Sequence, residues 1–207
     1  MLQKKLMELA LRVRSLSQNG MHYASDEYDK ERYEELLQIS HELSGLLSGV
    51  GKEDISRAIP LENDYVTPKV DIRAVVFNKT GEILLVKERA DGLWSLPGGW
   101  ADVGYTPSEV AVKEVREETG LDVVPKRLLA IHDKKCHNHP PAMHYAYKLF
   151  ILCELTGGTL RTAFDILDNG FFAQDNIPPL SLERVTGEQI EMLFTYRDHP
   201  GLEAAID

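Results

Sequence analysis

The chain has 207 residues, room for one large domain or for an ordinary domain with a small companion. With 43% hydrophobic and 27% charged residues it has a globular composition, which excludes disorder over most of its length. Its longest uninterrupted apolar run, residues 149–153, is far short of the ~20 residues a membrane helix needs. The N-terminus lacks the apolar stretch of a secretory signal, so a cytoplasmic protein is expected. A formal charge of −10, from 23 Lys and Arg against 33 Asp and Glu, opposes tight non-specific duplex binding. Phosphates remain accessible to such a chain where carboxylates hold a divalent metal, because the ion reverses the local charge. The two cysteines, Cys136 and Cys153, are expected as free thiols.

In chain order, Leu2, Leu6, Leu9, Val13 and Leu16 step by 4, 3, 4, 3 and line one stripe of a helix that should stop at Asn19-Gly20. A second helix is expected from about Asp26 to Gly45 or Gly49, with Leu36, Ile39, Leu43 and Leu46 or Leu47 as its buried face. A short third helix over residues 53–58 should end before Pro60. From residue 70 the pattern turns to β. Residues 70–77 and 82–87 flank the turn Asn78-Lys79-Thr80-Gly81 as a hairpin, with further strands at 128–132 and 145–155. Helices are expected over residues 106–118 and 186–197. Thr186 and Gln189 have capping-box spacing. Irregular interleaving of strands and helices indicates an α/β sandwich on a mixed sheet. The boundary is placed near residues 60–68, giving a helical domain 1–66 and an α/β domain 67–207.

One segment carries chemistry. Leu96-Pro97-Gly98-Gly99 follows a strand, and Thr106-Pro107-Ser108-Glu109 is a helix start on three counts: a cap, a proline at the first helical position and a capping-box glutamate. On that helix Glu114, Glu117 and Glu118 share one face, and Gly120 ends it. Clustered carboxylates alone also describe a solvated acidic face. Hard cations prefer oxygen ligands, however, and the glycines ahead of the helix let a backbone carbonyl approach the same ion. The combination favours a metal site.

Residues 99–121 resemble the Nudix box, G-x5-E-x7-R-E-U-x-E-E-x-G-U, with U a bulky aliphatic residue. Gly99, Glu114, Val115, Glu117, Glu118, Gly120 and Leu121 match, whereas Tyr105 stands for the first Glu and Lys113 for Arg. Lys113 keeps the charge and loses the bidentate fork, and Tyr105 removes one carboxylate, which leaves the number of metals open. The resemblance, extending over residues 69–197 with Trp94 to Gly99 and Phe171-Phe172, implies a Nudix-like α/β/α sandwich. It also implies a Mg²⁺- or Mn²⁺-dependent pyrophosphohydrolase. Gly99, Glu114, Glu117 and Glu118 would be its metal ligands, and Glu114, Lys113 and Glu118 its catalytic residues. The helical leader and residues 63–73 are similar to the subgroup that acts on nucleoside diphosphates linked to a second group, CDP-choline and ADP-ribose pyrophosphatases among them. The wording Gly98-Gly99-Trp100-Ala101-Asp102-Val103-Gly104-Tyr105 points toward the CDP-choline type.

Arg73, Lys87 and Arg89 are candidates for the phosphate or base pocket, although any one is also an ordinary surface cation; Trp100 is a candidate for stacking on a base, and Trp94 is a base-stacking or a core residue. Asp165 and Asp168 lie in an expected loop where some relatives place a catalytic carboxylate, an alternative to Glu114 as general base. Cys136, His137, His139 and His144 form a poor zinc pattern, better read as a polar loop. Two alternatives to the pyrophosphohydrolase remain: a nucleotide-sensing module without hydrolysis, and an RNA-processing enzyme for which short RNA is the one nucleic acid expected. The leader's apolar stripe is too large for so small a core, which predicts a homodimer.

Overall fold

The computed structural model describes residues 2–58, 64–142 and 145–207. Two compact units are present: Met1–Pro68 with Pro140–His144, and Lys69–His139 with Tyr145–Asp207. Among the described residues no helix is long and apolar enough to cross a membrane.

The first unit holds α1 (Leu2–Tyr23), α2 (Glu27–Ser48) and α3 (Lys52–Ala58). The helix α1 does not stop at Gly20. The Tyr33 ring of α2 lies against that glycine so closely that a Cβ there would sit 2.3 Å from Tyr33 Cε1. Gly20 therefore serves helix–helix approach, and helix continues to Tyr23. Asp26 caps α2, accepting from Asp29 N–H, and Gly49 closes it at φ +72°. The expected faces are reversed. Small and polar residues fill the α1–α2 seam: Ala10, Ser17, Ser40, His41 and Ser44 are buried, and Ser40 Oγ donates to Ala10 O at 2.8 Å. Leu2, Leu6, Leu9 and Leu16 are exposed, as are Leu36, Ile39, Leu43 and Leu46. Met7, Leu11 and Leu37 are buried along with these small residues, and the leucines of the expected stripes are left outside. The stop expected at Pro60 falls outside the described residues.

The second unit is built on β1 (Lys69–Phe77), β2 (Ile83–Glu88), β3 (Trp94–Ser95), β4 (Gly98–Trp100), β5 (Leu121–Asp133), β6 (Ala146–Gly158), β7 (Ile166–Phe172) and β8 (Ala205–Ile206). Its helices are α4 (Pro107–Thr119) and α5 (Gly187–Asp198). The sheet runs β3-β2-β1-β6-β5-β8, with β4 also paired to β1 and β7 to β2. The pairs β1·β6 and β5·β8 are parallel and the others antiparallel, so the sheet is mixed. The expected hairpin is present, closed at Phe77 opposite Ile83. Alternation along β1 sends Ile72, Ala74 and Val76 to one core with Val110, Ala111 and Val115 of α4. Val75 goes to the other, with Phe150 and with Ile190, Leu193 and Phe194 of α5.

Within this apolar sheet lies an ionic row. Asp71 and Arg73 alternate on β1, and Lys148 stands opposite Asp71 on β6. Arg73 Nε donates to Asp71 Oδ1 at 2.9 Å, and Lys148 Nζ donates to the other carboxylate oxygen. All three side chains are at most 7% exposed. Burial works against the Asp71 charge, but Arg73 and Lys148 outweigh it and hold the carboxyl below its usual range. Burial, with Arg73 beside it, brings Lys148 down to about 8.

Asp71→Asn leaves two buried cations sharing a neutral amide. We expect a loss of about 3–5 kcal/mol in urea unfolding; a change within error would show the row to be solvated in practice.

Candidate active site

The site forms where α4 meets β4. Thr106 caps α4, accepting from Glu109 N–H at 3.3 Å, while Glu109 Oε2 takes the Thr106 N–H at 2.8 Å; Pro107 is the first helical residue and Gly120 the terminating one at φ +75°. These locks fix the rotation of the helix and hence which carboxylates face β4. Gly98 stands opposite Arg73 and Gly99 opposite Ile72. Gly98 has φ +146°, and a Cβ on it would fall 2.0 Å from Ile72 O. Only glycine fits. At Gly99 a Cβ would sit 3.2 Å from Glu114 Oε1, so the missing side chain is what lets that carboxylate approach the strand.

Glu118 is 6% exposed and accepts the Gly98 N–H at 3.1 Å. Burial pushes its carboxyl up to about 8; Arg73 and the Gly98 N–H pull the other way, while Glu114 and Glu88 add like charge. Glu114 is also raised, first by burial, with Lys113 opposing. Glu117 is exposed. Lys113 Nζ lies 3.7 Å from both Glu114 Oε1 and Glu117 Oε2, and 3.4 Å from Asp102 Oδ2. A buried carboxyl short of positive charge, glycines where a Cβ would fill the space, and donors that are all oxygen fit a hard divalent cation.

The sequence candidates are distributed as follows. Arg73 is 6% exposed and committed to Asp71 and, through Nη1 at 3.0 Å, to Leu96 O. It braces the loop ahead of the glycines and does not line an open pocket. Lys87 stands on β2 opposite Trp94 and Asp168. Asp168 is thus a strand residue of β7 and not part of a loop. Arg89 clamps the bend before β7, its Nε donating to Phe164 O at 2.8 Å and its N–H to Asp165 O at 2.9 Å. Trp100 ends β4 half exposed, while Trp94 packs edge-on against Phe172 at 4.7 Å. Cys136 is exposed; Cys153 is buried, its thiol pushed up to about 12 by burial.

The poor zinc pattern dissolves. His139 is buried with Nδ1 2.6 Å from Leu182 O, burial bringing it down to about 4, and His144 lies outside the described residues. His137 instead stacks on His132 at 3.9 Å and meets Asp207 at 3.1 Å. Among the described residues, His132, His137 and Asp207 are the three metal-capable side chains whose ligand atoms lie within 4.8 Å of one another. Yet Gln189 Oε1 is committed to Thr186 N–H, which turns its Nε2 toward His132 Nδ1 at 3.3 Å. That contact makes Nδ1 an acceptor and puts the proton on Nε2, the wrong tautomer for Nε2 ligation. His137, stacked on His132, and the Asp133 N–H both meet the Asp207 carboxylate, a contact that ties the segment of β8 to β5.

Reasoning from sequence missed Asp71, Lys148 and Glu88. Glu88 is 8% exposed, accepting from Ser95 Oγ at 2.7 Å and pairing with Arg184 Nε at 3.0 Å. The available signal was charge at strand positions whose apolar neighbours demand burial, as in Val70-Asp71-Ile72-Arg73.

An α/β/α sandwich with an acidic helix set against a Gly-Gly strand end defines a hydrolase domain of Nudix type. The chain belongs to the Nudix family of pyrophosphohydrolases: the NUDIX domain matches residues 67–189, and a UDP-X-like, N-terminal oligomerisation domain matches residues 4–59. YjhB of Bacillus subtilis, provisionally named an ADP-ribose pyrophosphatase, is 43% identical over 99% of this chain and 98% of its own length. A crystal structure of an ADP-ribose pyrophosphatase from Streptococcus suis is 44% identical, covering 68% of this chain and all of that one, with a TM-score of 0.62. The crystal structure of a UDP-X diphosphatase is 32% identical over 99% of both chains, with a TM-score of 0.63.

The Glu118 carboxyl has an ordinary value of 4.5 and a folded value of about 8. Between the two, the folded metal-free protein keeps a proton that the unfolded chain has released, so stability falls as pH rises through this window and levels off above it. Glu118→Gln removes that contribution. Its melting temperature should decline less than the parent's from pH ~5 to ~8; identical slopes would mean that Glu118 is not shielded.

Proposed function

We propose that the protein is a divalent-metal-dependent pyrophosphohydrolase cleaving a nucleoside diphosphate linked to a second group, ADP-ribose first, to a nucleoside monophosphate and the phosphorylated second group. The observation that carries this reading is Glu118, buried and charge-starved beside Gly98 and Gly99. Support for the substrate class comes from the full-length similarity to YjhB and to the UDP-X diphosphatase. CDP-choline belongs to the same class and is tested beside it.

Glu117, Glu118 and the Gly99 carbonyl would hold Mg²⁺ or Mn²⁺, with Glu114 the third carboxylate of the set. The ion would supply charge neutralisation at the phosphoryl oxygens and a more acidic water. Glu114 takes the proton of the attacking water as its oxygen bonds to phosphorus and the bridging P–O bond breaks, the electron pair leaving with the departing phosphate. Burial raises the Glu114 carboxyl, which makes it a better base, while Lys113 limits the rise. Trp100, half exposed at the end of β4, offers a ring face to the base or sugar, and Lys87 and Arg89 offer cationic heads beside the β2–β7 edge.

The test is a panel of ADP-ribose, UDP-sugars, CDP-choline and short 5′-triphosphate RNA with Mg²⁺ or Mn²⁺, products read by phosphorus NMR. ADP-ribose is expected to give AMP and ribose 5-phosphate. Glu114→Gln should lower kcat about 10²–10⁴-fold and Glu118→Gln by orders of magnitude, both folded. Nucleotide affinity without turnover on any substrate would replace the enzyme with a sensor.

The helical unit is proposed as a homodimer interface. It matches an oligomerisation domain, and eight leucine and isoleucine side chains on α1 and α2 are at least 41% exposed. Light scattering should give twice the 23.3 kDa of one chain, and Leu6→Glu with Leu9→Glu should halve it. A parent mass of one chain would end the proposal.

A further inference from the structure

Lys113 occupies an awkward place. Its ammonium stands 3.7 Å from an oxygen of Glu114 and 3.7 Å from one of Glu117, between two of the carboxylates assigned to the metal. An ammonium and a divalent cation repel each other and compete for the same oxygens. An ammonium bound only to those two groups would have to be displaced without compensation whenever the ion enters.

A third carboxylate offers it another position. Asp102, in the connection from β4 to α4, places Oδ2 3.4 Å from Lys113 Nζ, with its side chain 63% exposed. The turn that presents it is closed by the Tyr105 N–H on Asp102 O at 3.2 Å and by Gly104 at φ +95°. The Tyr105 ring lies under the same ammonium, 5.8 Å from its centroid. Asp102, Tyr105, Glu114 and Glu117 therefore all converge on the Lys113 ammonium. The two departures from the box, Tyr105 and Lys113, meet at one point, and Asp102 brings a carboxylate there.

We propose that Asp102 is a positioning residue for the metal site: it draws the Lys113 ammonium aside, freeing Glu114 and Glu117 to turn their oxygens to the cation. The proposal rests on the metal-dependent reading above, and its test separates the two. Mn²⁺ affinity is measured on the full-length, nucleotide-free protein by the electron paramagnetic resonance signal of the free ion. The variants are Asp102→Asn, Asp102→Glu, Lys113→Met, the double variant Asp102→Asn/Lys113→Met, and Glu118→Gln as the control.

Asp102→Asn should weaken Mn²⁺ binding roughly three- to tenfold in the parent and leave it unchanged in the Lys113→Met background. Asp102→Glu, which keeps the charge, should stay near parental affinity. The kcat lost in Asp102→Asn should return as Mn²⁺ is raised, with melting temperature unaltered throughout. Equal weakening in both backgrounds would mean that Asp102 attracts the ion by its own charge and would overturn the proposal, as would no weakening at all. If Glu118→Gln leaves Mn²⁺ binding intact, the metal-site reading itself fails; if it abolishes binding while Asp102→Asn is silent, only the role of Asp102 is lost.

Discussion

The ionic row Lys148–Asp71–Arg73 is the constraint on which the rest of the catalytic unit depends. It crosses from β6 to β1 in the interior of the sheet, and Arg73 carries it on to Leu96 O, at the root of the glycine pair. Ions so deeply buried repay desolvation only when geometry is tight and every polar atom is used. The row therefore does more for register than for stability. A one-residue slip of β1 against β6 would turn Asp71 and Arg73 into the α4 core and leave Lys148 alone. Fixing β1 fixes β4, which pairs with it at Asp71, Ile72 and Arg73, and so fixes Gly98 and Gly99 beside the acidic helix.

Charge balance explains why this scaffold invites a cation. Arg73 shares the one Asp71 carboxylate with Lys148 and draws Glu118 toward the charged form, yet burial outweighs it, and Glu88 is taken by Arg184 and Ser95. Glu118 is left with one backbone N–H and a share of a guanidinium. A protein that needed only a stable helix here would place an apolar residue at position 118. The carboxylate is tolerated at a cost, as electrostatic strain at functional sites commonly is.

The acidic helix was readable from sequence because its signals are local: the Thr106–Glu109 box, Pro107 and Gly120 all act within one turn, and the i, i+3, i+4 spacing fixes the shared face. The same locality located α2 between Asp26 and Gly49. Where partners are distant, periodicity misled. Leu2, Leu6, Leu9, Leu16, Leu36, Leu43 and Leu46 have the spacing of a buried stripe, but the buried residues of the two helices are Ser17, Ser40 and Ser44 together with Leu11 and Leu37, which lie outside that spacing. Strand β7 has the local pattern of a loop because Asp168 and Asn169 depress its β propensity, while its pairing with β2 more than compensates. His132 and Asp207 are brought together only by β8, which no local pattern announces. Lys148 reads as a surface lysine until Asp71 is placed opposite it.

Strand β8 has a consequence for solution behaviour. A sheet edge as long as β5 is a template for pairing with other chains. Here two residues, Ala205 and Ile206, occupy part of it opposite Ala130 and Ile131, and the Asp207 carboxylate takes the Asp133 N–H at 2.7 Å. Farther along, Pro125 withholds a donor and the register shifts beside it break the ladder. Covered at one end and irregular at the other, the edge is a poor seed for strand-to-strand aggregation. Removing the Ala205-Ile206 pairing would uncover that stretch of β5 and leave it open to another strand.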